Sequence, residues 1–162
     1  MNPVTPTSFP DVASLIPHRA TMVLIDRVVA ASDETLCTEV LITPDNIFFD
    51  PATNSVGAWL GIEMMAQTIA AFAGYQALRR GEEIKLGFLL GSRRYESHCA
   101  EFPVGCLLQV HVQCVLQHEN GLGAFECRIV DSTQRELAHA TVTVFRPDDV
   151  KEFLTSSEST AV

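Results

Sequence analysis

Apolar and polar residues alternate along the second half of the chain in the manner of long β-strands. Segment 106–119 alternates most clearly, segments 124–132 and 136–145 continue the pattern, and segment 85–100 reads as an earlier strand. A period of two residues is typical of a strand with one buried face. The turn residues NGLG between the first two segments predict that these strands form an antiparallel meander.

The first half of the chain predicts two strands and one long helix. Its segments are a helical turn within 11–19, strands over 21–31 and 35–43, and a loop over 44–55. The long apolar run that follows predicts a helix with Asn54 or Ser55 as its N-cap and Gly81 as its end.

The run from Ala58 to Leu78 is long enough to cross a bilayer. However, it contains Glu63, Gln67, Thr68 and Gln76, which are polar groups that are unfavourable in lipid. A helix that is apolar nearly all round can instead form the buried axis of a soluble domain. We therefore predict a soluble protein that does not bind membranes.

Two strands, one buried helix and about four further strands predict an α+β fold. The economical packing is a curved antiparallel sheet wrapped around the helix, as a single domain over residues 1–146 with a polar tail over 147–162. Such a sheet leaves an exposed edge strand, so we expect a homodimer or a higher homo-oligomer.

The composition excludes some functions. The chain has 162 residues, 47% of them hydrophobic, and a formal net charge of −9, which argues against a nucleic-acid-binding protein. Its five cysteines show no CxxC motif and no metal-ligand spacing, so we expect reduced thiols and no metal site. No secretory signal is visible at the N-terminus. The expected location is the cytoplasm.

Glu63 requires a special explanation because it interrupts an apolar helix. Removing a charge from water is unfavourable by several kcal/mol unless the group is paired or hydrogen-bonded, and a chain can also keep such a group for a functional role. A carboxyl group in apolar surroundings holds a proton more readily than one in water and can act as a general acid. We therefore predict that Glu63 faces a ligand cavity, the alternative being a hydrogen bond within a subunit interface.

Three segments carry a resemblance to a known family. LIPHRATMVLIDRV (15–28), GIEMMAQTIAA (61–71) and GFLLGSRRYESHCAEFPVGCLL (87–108) resemble, in this order, the conserved blocks of the hotdog-fold 3-hydroxyacyl-acyl-carrier-protein dehydratases. The combination is most similar to the ApeP-like dehydratases of aryl-polyene pigment clusters.

The resemblance implies a hotdog fold, a dimer and a hydro-lyase reaction. The expected substrate is a 3-hydroxyacyl chain carried on the phosphopantetheine of an acyl carrier protein, the expected product is a trans-2-enoyl thioester, and no further cofactor is needed. In that family the site joins a histidine of one protomer to a helix carboxylate of the other. Glu63 matches the carboxylate, and Gln67 matches the glutamine one turn later.

The chain departs from the family at the catalytic histidine. That residue usually lies in a G-H-F-P loop before the central helix, whereas the loop here reads FFDPATNSVG (48–57) and contains no histidine. His18, in the PHR segment near the acyl tunnel, is the best remaining candidate for the base, the alternative being a structural role. We interpret the other histidines as strand residues without a catalytic role: His98, His111, His118 and His139.

Further residues are predicted to complete the site. Backbone N–H groups at Gly57 and Ala58, at the predicted start of the helix, are suited to a developing oxyanion. Phe88, Leu89 and Leu90 are predicted to line an apolar acyl tunnel.

A basic segment is predicted to bind the acidic carrier protein. It comprises Arg79, Arg80, Lys85, Arg93 and Arg94. Only two glutamates oppose these five cations between residues 79 and 94, which leaves a local charge of +3 in an acidic chain. Such a segment can steer an acidic carrier and its phosphate, although it can also be a solvated surface.

The sequence thus favours a 3-hydroxyacyl-acyl-carrier-protein dehydratase of fatty-acid or aryl-polyene biosynthesis. The missing loop histidine keeps open a second reading, in which the chain is a non-catalytic or half-site hotdog subunit that works with a partner subunit. A third reading is an acyl thioesterase, which also uses a helix carboxylate.

Overall fold

The computed structural model describes residues 8–85, 87–148 and 155. The helices are α1 (Val12–Leu15) and α2 (Gly61–Arg79), and short 3-10 turns lie at Ala20–Met22 and Ala58–Leu60. The strands are β1 (Arg27–Ala31), β2 (Thr35–Leu41), β3 (Phe49–Asp50), β4 (Ser55–Gly57), β5 (Phe88–Ser97), β6 (Glu101–Pro103), β7 (Leu107–Gln117), β8 (Leu122–Val130) and β9 (Glu136–Phe145).

Six long strands form one antiparallel sheet in the order β1-β2-β7-β8-β9-β5. Helix α2 packs against β2, β5, β7, β8 and β9, so the sheet wraps around it. The short strands β3, β4 and β6 form a second sheet beside the start of α2. The predicted α+β class and the hotdog arrangement that the resemblance implies are therefore confirmed.

The alternation in the sequence sets which face of the sheet meets the helix. On β7, Leu108, Val110 and Val112 are buried in the core, while the residues between them lie on the outer face. A hydrogen bond also joins the sheet to the helix: the hydroxyl groups of Thr38 on β2 and Thr68 on α2 lie 2.8 Å apart in the buried core. The helix is thus fixed to the sheet by apolar packing and by one buried hydrogen bond.

The predicted start of α2 is wrong. Ser55–Gly57 is strand β4, which pairs with β6, and the α-helix begins only at Gly61 after a 3-10 turn. Asn54 adopts a left-handed conformation with φ of 51° and caps no helix. The predicted end is confirmed, because Gly81 follows α2 with φ of 67°, a backbone conformation that favours glycine.

The predicted tail, 147–162, lies largely outside the described residues. Of the helices that the structure describes, none combines the length and hydrophobicity that a membrane span requires. All five cysteines lie in the described part of the chain, and each is a free thiol.

Candidate active site

His18 and Glu63 lie side by side at one end of α2, although 45 positions separate them in the sequence. Helix α1 ends at Leu15, and the extended chain that follows carries His18 across the first turn of α2. His18 Nε2 is 3.4 Å from Glu63 Oε1, and the two side chains are 29% and 36% exposed. A pair this close, open to solvent on one side, is placed to move protons to and from a bound substrate.

Arg19 fixes the segment that carries His18. Its Nη1 donates hydrogen bonds of 2.8 Å to the carbonyl oxygens of Ile16 and His18, which closes the chain into a compact turn. The other imidazole nitrogen, His18 Nδ1, is buried and has no hydrogen-bond partner among the described residues. Within the described part of the chain, the contact of Nε2 with Glu63 is therefore the one that orients the imidazole ring of His18.

Gln67 holds the neighbouring chain against α2 and contacts the candidate acid. Its Oε1 accepts a hydrogen bond of 2.8 Å from the N–H of Leu24, and its Nε2 donates one of 2.8 Å to the carbonyl oxygen of Met22. The same Nε2 lies 3.2 Å from Glu63 Oε1. Gln67 itself is fully buried, so it gives Glu63 a fixed neighbour on the side facing the protein.

The sequence suggests that Glu63 is buried in the middle of a long apolar helix, and the structure corrects this. Because β4 and a 3-10 turn occupy the beginning of the apolar run, Glu63 falls in the first turn of α2 and is partly exposed.

The N–H groups of the two predicted oxyanion donors, Gly57 and Ala58, have different surroundings. The N–H of Ala58 donates to the carbonyl oxygen of Ala100 at 2.9 Å, so it is not free for a substrate and the prediction for Ala58 is not supported. Gly57 lies in β4 against the ring of Trp59, and its N–H as an oxyanion donor stays a prediction.

A cavity of about 210 Å³ runs along α2 from this pair. Its helix side includes four alanines spaced by four, three and four residues, which places them on one face: Ala66, Ala70, Ala73 and Ala77. Phe88 and Leu89 line the sheet side, and their contact with an acyl chain stays a prediction. Leu90 is 55% exposed and is not among the lining residues, so that prediction is not supported.

Charged side chains line the opposite end of the cavity, about 25 Å along the helix axis from Glu63. The basic ones are Arg80, Lys85 and Arg146, and the acidic ones are Asp33, Glu82 and Glu83. The cavity thus joins a histidine–carboxylate pair at one end to a mouth with charges of both signs at the other.

The residues of the predicted basic segment do not lie together in the structure. Arg80 and Lys85 line the cavity mouth, and Lys85 also pairs with Asp148 at 2.9 Å. Arg79 pairs instead with Asp33 at 2.7 Å. Arg93 and Arg94 are exposed on β5 and are not among the residues that line the cavity.

Tyr95 supports the start of α2, a contact that was not predicted from the sequence. Its hydroxyl donates a hydrogen bond to the carbonyl oxygen of Ala58 and lies against Gly61, so β5 holds the start of α2 in place. Burial, and secondarily Cys99, raises the pKa of Tyr95 to about 12, which keeps the hydroxyl protonated as a donor. The alanine spacing along α2 was readable in the sequence, whereas nothing in the sequence connects Arg146 to the cavity mouth.

Comparison with known proteins identifies one family and several solved structures with a similar fold. The profile of the ApeP dehydratase family matches residues 10–155. Among curated proteins, none matches the chain. The dehydratase heterocomplex ApeI:P from Xenorhabdus doucetiae has a TM-score of 0.84 and 28% sequence identity, over 91% of this chain and 97% of that one.

More distant structures share the fold alone. The PaaI protein of E. coli has a TM-score of 0.58 and 13% identity, over 74% of this chain and 81% of that one. A hypothetical thioesterase with coenzyme A from Streptococcus pneumoniae TIGR4 also has a TM-score of 0.58, at 15% identity, over 74% of this chain and 84% of that one. The family profile spans most of the chain, including the segments of His18 and Glu63, and the chain therefore belongs to the ApeP-like dehydratase family and has the hotdog fold.

Proposed function

We propose that the protein is a 3-hydroxyacyl-[acyl-carrier-protein] dehydratase of fatty-acid or aryl-polyene biosynthesis. The observation that carries the proposal is the contact of 3.4 Å between His18 Nε2 and Glu63 Oε1 at the end of a cavity along α2. The dehydratase family supports the reaction class. The carrier-bound substrate and the roles of the two residues are our inference.

In the proposed reaction, His18 Nε2 accepts the α-proton of the thioester and Glu63 donates a proton to the leaving hydroxyl group. One C–H bond and one C–O bond break, a C=C bond forms and water leaves, so no oxidant, metal or further cofactor is consumed. Because the two groups are 3.4 Å apart, the proton gained by one can return to the other between turnovers.

Gln67 acts as a positioning residue in this proposal. Its Nε2 contacts Glu63 Oε1, while its two contacts with the chain of Met22 and Leu24 keep the amide from rotating. The oxyanion that develops on the thioester needs a donor, and Gly57 is the candidate that remains.

The charged mouth supports delivery of the substrate by a carrier. Arg80, Lys85 and Arg146 can each donate hydrogen bonds to the phosphopantetheine phosphate. Because Asp33, Glu82 and Glu83 balance their charge at the same mouth, we expect direct contacts rather than long-range attraction to hold the phosphate. The apolar alanine stripe between mouth and reactive pair suits an acyl chain or its thioester arm. We place this activity in the cytoplasm, where free thiols such as the five cysteines persist.

The activity is tested with a 3-hydroxyacyl thioester carried on acyl carrier protein, with products identified by mass. Glu63→Gln keeps the size of the side chain but removes the proton, and dehydration should fall by roughly 10²-fold or more. His18→Asn should lower it similarly. Glu119→Gln is the matched control, because Glu119 is exposed in the turn between β7 and β8 and is not among the residues that line the cavity.

The results separate three outcomes. Loss of water that depends on both residues supports the dehydratase. Release of the free acid would instead show a thioesterase. Near-normal dehydration by His18→Asn would assign the base to another group.

A half-site subunit is the second candidate, and two observations favour it. The similar structure from Xenorhabdus doucetiae is a heterocomplex, and Met22, Ile47 and Trp59 expose apolar side chains, with Trp59 61% exposed. If the pure chain is inactive until a second hotdog subunit is added, this candidate replaces the homomeric enzyme.

A further inference from the structure

Two histidines and a glutamate converge on the outer face of the sheet, opposite the face that packs on α2. His98 Nε2 is 3.2 Å from Glu136 Oε1, and His139 Nδ1 is 2.7 Å from the same oxygen. One ligand atom from each of the three residues lies within 4.8 Å of the others. The neighbours of His139 on β9, Ala138 and Ala140, belong to the core, so His139 faces away from the cavity.

A β-bulge creates this convergence. Side chains three positions apart on a regular strand point to opposite faces, so Glu136 and His139 should not meet. The pairing of β8 with β9 shifts where Val130 faces Glu136, and Leu137 is left without a partner position on β8. The inserted residue turns Glu136 toward the face of His139, a known use of bulges. The spacing of these three residues in the sequence therefore does not reveal that they meet, and no metal site was predicted from the sequence.

The chemistry and the spacing of the three groups suit a transition-metal ion. Two imidazoles and one carboxylate are a common ligand set of Zn²⁺, with metal–ligand distances of about 2.0–2.2 Å and a position left for water. Tetrahedral geometry at these distances separates the ligand atoms by about 3.3 Å. The two imidazole nitrogens lie 3.2 and 2.7 Å from Glu136 Oε1, and all three ligand atoms lie within 4.8 Å of one another, so side-chain rotations can bring them to the spacing that an ion requires.

Glu96 provides the outer contact that metal-binding histidines generally have. It lies directly opposite His139 in the pairing of β5 with β9, and its Oε2 is 3.4 Å from His139 Nε2. A carboxylate in this position fixes the tautomer and orientation of a ligating imidazole. The two carboxylates also supply the negative charge that balances a divalent cation.

We propose that His98, Glu136 and His139 bind one divalent transition-metal ion, with Zn²⁺ as the leading candidate, and that Glu96 orients His139. The ion joins the segment after the edge strand β5 to the start of β9. Its role is to stabilise this edge of the sheet, and it takes no part in the chemistry at His18 and Glu63.

The proposal is tested by calorimetric titration of the untagged, chelator-treated full chain with Zn²⁺ alone. We expect one equivalent to bind and the melting temperature to rise with Zn²⁺ concentration. Glu136→Gln and His139→Gln should each weaken binding by more than about 100-fold, and Glu96→Gln by about 10- to 100-fold. His118→Gln is the matched control, since it removes an exposed histidine outside the cluster and should bind normally.

Co²⁺ absorption then excludes binding by the cysteines. A site of nitrogen and oxygen ligands gives visible bands without the sulfur-to-cobalt charge-transfer band that a thiolate site shows. Undiminished binding by Glu136→Gln, a sulfur–cobalt band, or no saturable binding by the wild-type chain would each overturn the proposal. If Glu136→Gln fails to fold, as judged by circular dichroism, His98→Gln and Glu96→Gln supply the same comparison.

Discussion

Polar side chains in the buried part of α2 each bind a specific group on a neighbouring segment. Gln67 satisfies one backbone N–H and one backbone carbonyl of the chain that follows His18. Thr68 bonds both to Thr38 on β2 and to the carbonyl oxygen of Met64 within the helix. Because a buried polar group without a partner is unfavourable, these contacts select one position of the helix among those that apolar packing alone would allow.

Replacing Gln67 by Leu should destabilise the protein by about 2–3 kcal/mol, because the backbone groups of Leu24 and Met22 lose their partner. Urea unfolding measures the change as a lower midpoint at unchanged slope. Gln76→Leu is the control on the same helix, since its hydrogen bond to Ser32 is exposed, and it should cost less than about 1 kcal/mol. Equal stability of the two variants would show that the hydrogen bonds of Gln67 to Leu24 and Met22 do not stabilise the fold.

At the scale of elements, the position of α1 on α2 determines where His18 lies. The helices are in close contact at Gly74, where a Cβ atom would meet the backbone carbonyl of Leu15, with the carbonyl carbon at 2.9 Å. Only two residues, Ile16 and Pro17, lie between Leu15 and His18, so a displacement of α1 is passed directly to the candidate base. A glycine in the middle of this helix is therefore required by packing, although alanine is the better helix former.

Gly74→Ala should lower both stability and activity. The added methyl group gains about 1 kcal/mol of helix propensity, but overpacking against Leu15 costs about 1–3 kcal/mol and pushes His18 away from Glu63. Unfolding and turnover should be measured on the same preparation. Leu78→Ala, on the exposed side of α2, should stay within about 1 kcal/mol of wild type with normal turnover. A Gly74→Ala variant that is more stable and fully active would show that α1 is loosely held.

The elements that the sequence predicted well are those with a clear period. The strands β7 and β9 were found within one or two residues because their apolar positions alternate. The start of α2 was missed because β4 and the 3-10 turn are as apolar as the helix, and composition cannot separate them. Glu63 and Gln67 were identified through the family motif. The cluster at Glu136 was missed because a bulge, which the sequence does not show, determines its geometry.

At the scale of the whole molecule, β5 is an edge of the six-stranded sheet. Its outward backbone groups pair with no other described strand, and a long edge of this kind is a template for pairing with another chain. Leu89 and Leu90 on this strand are 44% and 55% exposed. The predicted joining of two sheets edge to edge, in a homodimer or with a partner hotdog subunit, would cover this edge and remains a prediction.

Leu90→Lys should weaken that association, because a charge on an edge strand opposes strand pairing. Sedimentation velocity at micromolar concentration should show wild-type chain, alone or with its partner subunit, as a dimer and the variant as largely monomer. Leu116→Lys is the control, since Leu116 is 44% exposed near the far end of β7. If both variants associate like wild type, or if the wild-type chain is a stable monomer with every partner tried, β5 is not the interface.

The presence of His18 and Glu63 on one chain has a genetic consequence. If the two residues act from different chains, mixed dimers of His18→Asn and Glu63→Gln chains contain one intact site, and random mixing restores about one quarter of the wild-type activity. The contact within a single chain predicts no such rescue, because each chain of the mixture carries a defective pair. Two mutant alleles of this kind, co-expressed in one cell and assayed for dehydration, should therefore fail to complement. Recovery of activity would show that the working pair forms across the subunit boundary.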